Sequence, residues 1–230
     1  KNVGSWQFES QSLLHLSGLI NVCVNDFNHD GYPDIAAQFS QHWEEIHLFE
    51  NDGKGNFTDR IIWGSTNHDF ASSGMTTADL NQDGRPDLVF ANGDGFGPTL
   101  KPGPRPWHGI QWLKNEGNGK FSYKRIGDLA GAYSPIVRDI DQDGDPDILS
   151  VSAFNDWGNP ESDSLVLFRN DGAQSFTKVT LAYEPIQLLS IDFADFDGDG
   201  VGEIISGCFP SFPPFERIGR FAIWKERGHQ

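Results

Sequence analysis

The chain has 230 residues, and 33 Asp and Glu against 17 Lys and Arg give it a formal charge of −16. Phosphate binding needs clustered Lys and Arg, so this balance excludes nucleic acid as a partner, and no run of about 18 apolar residues offers a transmembrane segment. With 26 Gly and 13 Pro the chain is cut into short segments, which predicts an all-β fold rich in turns.

In chain order, residues 1–8 read like residues 114–121, the stretch that leads into Phe121, and so predict a strand entered from a Gly/Asn-rich turn. A strand-like stretch at 19–24 precedes Asp26-x-Asn28-x-Asp30-Gly31-x-x-Asp34. Apolar residues 35–37 follow, then a third stretch at 46–49, then the turn 51–55 and a strand from Phe57. Such Asn/Gly turns supply the φ > 0 positions that tight hairpins need. The same order returns three times. Asp79, Asn81, Asp83, Gly84 and Asp87 precede 88–90. Asp139, Asp141, Asp143, Gly144 and Asp147 precede 148–151, with a later strand at 165–168. Asp195, Asp197, Asp199, Gly200 and Glu203 precede 204–205, with a last strand at 220–225. The motif starts lie 53, 60 and 56 residues apart. Each repeat therefore predicts one four-stranded antiparallel meander, strands A to D, the size of a propeller blade. The predicted fold is an all-β propeller of four repeats at about 18–63, 73–127, 133–182 and 188–230. Strand 1–14 would complete the last repeat and close a four-blade ring, which removes a bare edge; the alternative is part of a seven-blade propeller. The chain opens on Lys1 with no signal-peptide pattern, as a processed chain or an excised piece would.

The acidic loops predict calcium. Side chains at positions 1, 3 and 5 of a tight loop converge, Gly at position 6 permits the bend, and the carbonyl at position 7 and carboxylate at position 9 complete a shell of hard oxygen ligands. The position-7 carbonyls belong to Tyr32, Arg85, Asp145 and Val201. The loops are not EF-hands, since position 12 holds Ala37, Phe90, Ser150 and Ser206 where an EF-hand needs a bidentate Glu. They hold 15 of the 33 acidic residues, and about four divalent ions would halve the formal charge. Without ions, carboxylates this crowded repel one another.

In a meander blade the A–B and C–D turns share one face and the B–C connections lie on the other. The B–C connections here are long and aromatic, which suits a protein partner or glycan. The candidate contact residues are His42, Trp43, Trp107, His108, Asn155, Asp156, Trp157, Phe212, Phe215 and Arg217, with Trp157 preferred because its loop is polar. His42, His68 and His108 are separate in sequence. No G-x-S-x-G nucleophile, H-E-x-x-H zinc site or phosphate-binding glycine loop is present, so no catalytic residue is assigned. Cys23 and Cys208 are expected as thiols rather than a disulfide.

The loops and the strands after them resemble the FG-GAP/VCBS repeats, also found in the propeller of integrin α chains. The resemblance implies a propeller, commonly of seven blades, with one calcium per motif-bearing blade. It also implies an extracellular or periplasmic setting. Through residues 107–113 and 213–217 the chain is similar to bacterial secreted VCBS proteins. The functional expectation is a noncatalytic, calcium-stabilised binding or scaffold module. The alternative is a carbohydrate-active propeller, a lectin or polysaccharide lyase.

Overall fold

In the computed structural model, residues 6–96, 103–210 and 212–225 are described. They form strands and turns with no helix, in four separate antiparallel sheets. The first sheet runs β1 (Leu19–Asn25), β2 (Asp34–Phe39), β3 (Glu45–Asn51), β4 (Phe57–Gly64). The second is β5 (Ser72–Ala78), β6 (Asp87–Asn92), β7 (Gly109–Gly117), β8 (Lys120–Asp128). The third is β9 (Ala132–Arg138), β10 (Asp147–Ser152), β11 (Leu165–Asn170), β12 (Phe176–Ala182). The fourth has three strands, β13 (Leu188–Ala194), β14 (Glu203–Cys208) and β15 (Phe221–Trp224). Each sheet is a meander in sequence order; the first three have the four strands expected of a repeat, and the fourth has three.

The sequence of each second strand follows from its place. Strands β6 and β10 are buried along their whole length, because a neighbouring sheet covers each face. Side chains alternate between those faces. Leu88 and Phe90 pack with Cys23, Ile46 and Leu48 of the first sheet, whereas Val89 and Ala91 pack with Val137, Ile148 and Phe168 of the third. Leu149 and Val151 of β10 point the other way and meet Leu188, Ile191 and Ile204 of the fourth. Each such side chain contributes about 1.5–3 kcal/mol on full burial, which explains apolar runs where a half-solvated strand would alternate. The fourth strands β4 and β12 are correspondingly half exposed. Successive sheets touch through their first strands, β1 with β5, β5 with β9 and β9 with β13.

No closed ring is found among the described residues. No ladder joins the first sheet to the fourth, and the fourth gains no strand from the N-terminal segment. Leu14 and Leu16 instead pack on the first sheet, against Ala37, Phe39 and Phe49. The expected first strand is described only from Trp6, since residues 1–5 lie outside the described residues, as do 97–102 and 226–230 of the second and fourth repeats. Cys23 and Cys208 are free thiols; Cys23 is buried, and burial pushes its thiol up to about 11, while Cys208 is half-buried.

Candidate calcium loops and the opposite loop face

The four acidic loops join the first and second strands of each sheet and share one wiring. The position-6 glycine donates to the position-1 carboxylate: Gly31 to Asp26 (2.8 Å), Gly84 to Asp79 (2.7 Å), Gly144 to Asp139 (3.1 Å) and Gly200 to Asp195 (3.0 Å). These glycines have φ between 85° and 95°, the left-handed region in which a side chain is strained. The position-7 N–H donates to the position-5 carboxylate: Tyr32 to Asp30, Arg85 to Asp83, Asp145 to Asp143 and Val201 to Asp199. The position-9 carboxylates, Asp34, Asp87, Asp147 and Glu203, are buried.

In the first three loops the position-9 Asp is a staple. One oxygen accepts the N–H of position 2 (Phe27, Leu80, Ile140) at 3.1–3.2 Å. The other accepts the N–H of the asparagine that opens the C–D turn (Asn51, Asn115, Asn170) at 2.7–2.8 Å. The same asparagines donate Nδ2 back to the carbonyls of Pro33, Pro86 and Pro146. Each A–B loop is thus locked to its own C–D turn. Burial, reinforced by the neighbouring loop carboxylates, holds the Asp34, Asp87 and Asp147 carboxyls above the usual range, Asp87 at about 6.

The fourth loop departs from this. Glu203 accepts Phe196 N–H at 2.8 Å, and its other oxygen lies 3.0 Å from Lys225 Nζ, which also bonds Asp197. The Lys225 ammonium holds the Asp197 carboxyl below the usual range.

The residues fit calcium. In the third loop Asp139, Asp141 and Asp147 bring carboxylate oxygens within 4.8 Å of one another, and Asp195, Asp197 and Glu203 do so in the fourth. Asp143 and Asp199 are outside these groups. The first two loops carry Asn at position 3, and Asn28 and Asn81 donate to Asp30 and Asp83. Asn81 Oδ1 is buried with no hydrogen-bond partner among the described residues, an oxygen ligand without a donor. Acceptors in excess of donors around one point suit a hard cation.

The B–C loops gather on the opposite side. Phe96, Phe154 and Phe212 run across the second, third and fourth loops, with ring centroids 4.8 and 5.9 Å apart. His42, Trp43, Asp156 and Phe215 are exposed there. Asn155 is half-buried and binds the Asp163 carbonyl, and Arg217 pairs with Glu184 and donates to the Trp157 carbonyl. The expectation for Trp157 is corrected: at 3% exposure it is packed inside the polar loop that was to display it. His108 is likewise 1% exposed, and burial takes its imidazole down to about 4, hence neutral at pH 7. Trp107 is half-buried, its Nε1 donating to the Asp69 carbonyl at 2.7 Å. Phe212 is half-buried against Phe154. His42 and His68 come together, His68 Nδ1 lying 2.8 Å from the His42 carbonyl, while His108 is not with them.

Sequence reasoning left out Glu44, Asp69, Asp94 and Phe96. With His42 and His68 they line a cavity of about 740 Å³ beside the first and second sheets. The run His42-Trp43-Glu44-Glu45 shows nothing local to mark Glu44 as buried; two of its partners, Ala71 and Ser72, lie 27 and 28 residues away.

These features define an all-β repeat protein whose unit is a meander sheet with an acidic loop between its first two strands. A profile of the FG-GAP-like repeat matches residues 26–90 and 103–150, so these segments carry FG-GAP-like repeats. No curated protein matches the sequence. Among solved structures it is similar to the biofilm matrix protein Bap1 of V. cholerae, at 17% identity and a TM-score of 0.39, over 86% of this chain. The chain spans 37% of the length of that protein.

Proposed function

We propose that this chain is a noncatalytic, calcium-stabilised binding or scaffold module of an extracytoplasmic protein. Its sheets act as propeller blades, with calcium on the A–B loop face and a glycan or protein partner on the B–C loop face. The observation that carries the reading is the identical wiring of the first three acidic loops, each ending in a buried Asp stapled to the neighbouring turn. Residues at positions 1, 3, 5 and 9, with the position-7 carbonyls of Tyr32, Arg85, Asp145 and Val201, would hold the ions. Each ion would neutralise its crowded carboxylates and fix one A–B turn. The FG-GAP repeat supports the extracytoplasmic setting, and no helix among the described residues is long and apolar enough to cross a membrane. The B–C face is left to a partner because its long loops carry the exposed Trp43, Phe96 and Phe215.

Calcium titration of the metal-stripped chain tests this. Three to four ions per chain should bind, and the melting temperature should rise by roughly 10 °C or more, since each site binds the folded state alone. Binding of no calcium at any loop would overturn the reading.

A further inference from the structure

We infer that the cavity lined by His42, Glu44, His68, Asp69, Asp94 and Phe96 is a binding site for neutral sugar units of a glycan. The inference rests on the proposed partner face and names its ligand.

The cavity is built rather than incidental. Glu44 lies at its base as a buried carboxylate. Its Oε1 accepts from Ser40 Oγ, Gln41 N and Ala71 N, and its Oε2 accepts from Ser72 N. These donors come from the B–C loop of the first sheet and from the entry to the second, so one side chain ties the two walls together. Gln41, His42, Glu44 and Ala71 all hold φ between 43° and 69°, a conformation that non-glycine residues keep only where surrounding contacts impose it. The walls are therefore fixed before any ligand arrives.

What the walls present is acceptors. Asp69, which lines the cavity, takes the Arg105 guanidinium through Oδ2 at 2.9 Å, and this fixes its carboxylate in the wall. His68 Nδ1 faces the His42 backbone carbonyl at 2.8 Å, which only accepts, so Nδ1 donates there and Nε2 is left for a ligand. Asp94 takes Phe96 N–H through Oδ1 at 2.9 Å and anchors the turn that displays Phe96. That ring is 55% exposed and propped edge-on by Phe154, with a centroid distance of 4.8 Å.

A ligand for these walls donates several hydrogen bonds and has an apolar face to lay on an aromatic ring, which is the chemistry of a pyranose. The volume is in the range of small-molecule sites and exceeds one sugar ring, so two or three units fit. Three carboxylates line the cavity, and the Arg105 cation is already paired with one of them. A uronate or sulfated sugar would bring its own negative charge to this wall and be repelled.

The test uses the whole calcium-loaded chain. Neutral trisaccharides of gluco, galacto and manno configuration, and a uronate trisaccharide, are titrated by calorimetry and by saturation-transfer NMR. At least one neutral trisaccharide should bind and the uronate should not. Phe96→Ala and His68→Ala alter exposed side chains, so they should leave the melting temperature unchanged and weaken binding tenfold or more. Asp69→Asn should weaken it as well. No binding by any neutral trisaccharide, preferential binding of the uronate, or binding indifferent to Phe96→Ala and His68→Ala would overturn the inference. Binding that is lost in Phe215→Ala yet survives Phe96→Ala would also overturn it, while leaving the partner-face reading standing. Loss of calcium binding would strike that reading instead.

Discussion

The second and fourth acidic loops have nearly the same motif and are held differently. In the second, Asp87 is buried and accepts two backbone N–H groups, one from its own loop and one from Asn115 of the C–D turn. In the fourth, Glu203 accepts one backbone N–H among the described residues, and the ammonium of Lys225 occupies its other oxygen and Asp197. Gly202 replaces the proline that the other loops carry before position 9. A motif can thus repeat in its ligand residues while its attachment to the sheet differs. Among the described residues, the first three loops are stapled by backbone donors from two turns, and the fourth carries a side-chain cation on its carboxylates.

Removing the staple should give the largest effect. Asp87→Ala leaves two N–H groups without their acceptor, at about 1–3 kcal/mol each, so chemical denaturation should show a loss of roughly 2–6 kcal/mol. Glu203→Ala removes one such acceptor and should cost less than half as much. Equal losses would erase the distinction between the loops.

The pH dependence should separate them next. In the metal-stripped chain the Asp87 carboxyl stands at about 6, against 3.8 in the absence of the fold. Between those values the folded state binds more protons than the unfolded, so its stability falls as pH rises, by about 3 kcal/mol for this group. Asp34 and Asp147, also raised, act in the same sense. Asp197 is lowered, so the stability it contributes is present above pH 3.8 and is lost as pH falls through its folded value. His108, which burial takes down from 6.5 to about 4, acts in the opposite sense over the same window, so the Asp87 contribution is read against Asp87→Asn. In chelator the stability of the parent chain relative to that variant should fall by roughly 2–3 kcal/mol from pH 4 to 7, and calcium should flatten that fall. A difference that does not change with pH, or that grows in favour of the parent, would contradict the raised carboxyl of Asp87.

The smallest effect should come from the Lys225 cation. Lys225→Gln removes the competing ammonium from Asp197 and Glu203. Calcium affinity of the fourth loop should rise about tenfold, roughly 1.4 kcal/mol, with the other three sites unchanged in the same titration. A decrease would mean that Lys225 supports the loop rather than competing for it.

Strand order and the acidic loops were legible from residue spacing, because both are local. A nine-residue turn with carboxylates at fixed positions and a left-handed glycine needs only its own chain to form. Leu88-Val89-Phe90 was legible as the strand after the second loop for the same reason. What faces those strands is not local. Residues 1–14 were expected as the strand that would close a ring, yet Leu14, with Leu16 after it, packs on the first sheet, where Ala37, Phe39 and Phe49 offer an apolar surface. Trp157 sits among Asn, Asp and Gly in sequence and reads as exposed, but its surroundings in space place it inside.

The sequence by itself determined an all-β array of meander sheets, each with an oxygen-rich loop between its first two strands. The tertiary structure alone decided that the described sheets form no closed ring, that Lys225 lies on the fourth loop, and that Glu44 and Asp69 build a cavity. The reason is reach. A turn motif encodes its geometry within nine residues, whereas Glu44 meets Ala71 and Ser72, Asp69 meets Arg105, and Lys225 meets Asp197 only after the chain has laid down the strands between them.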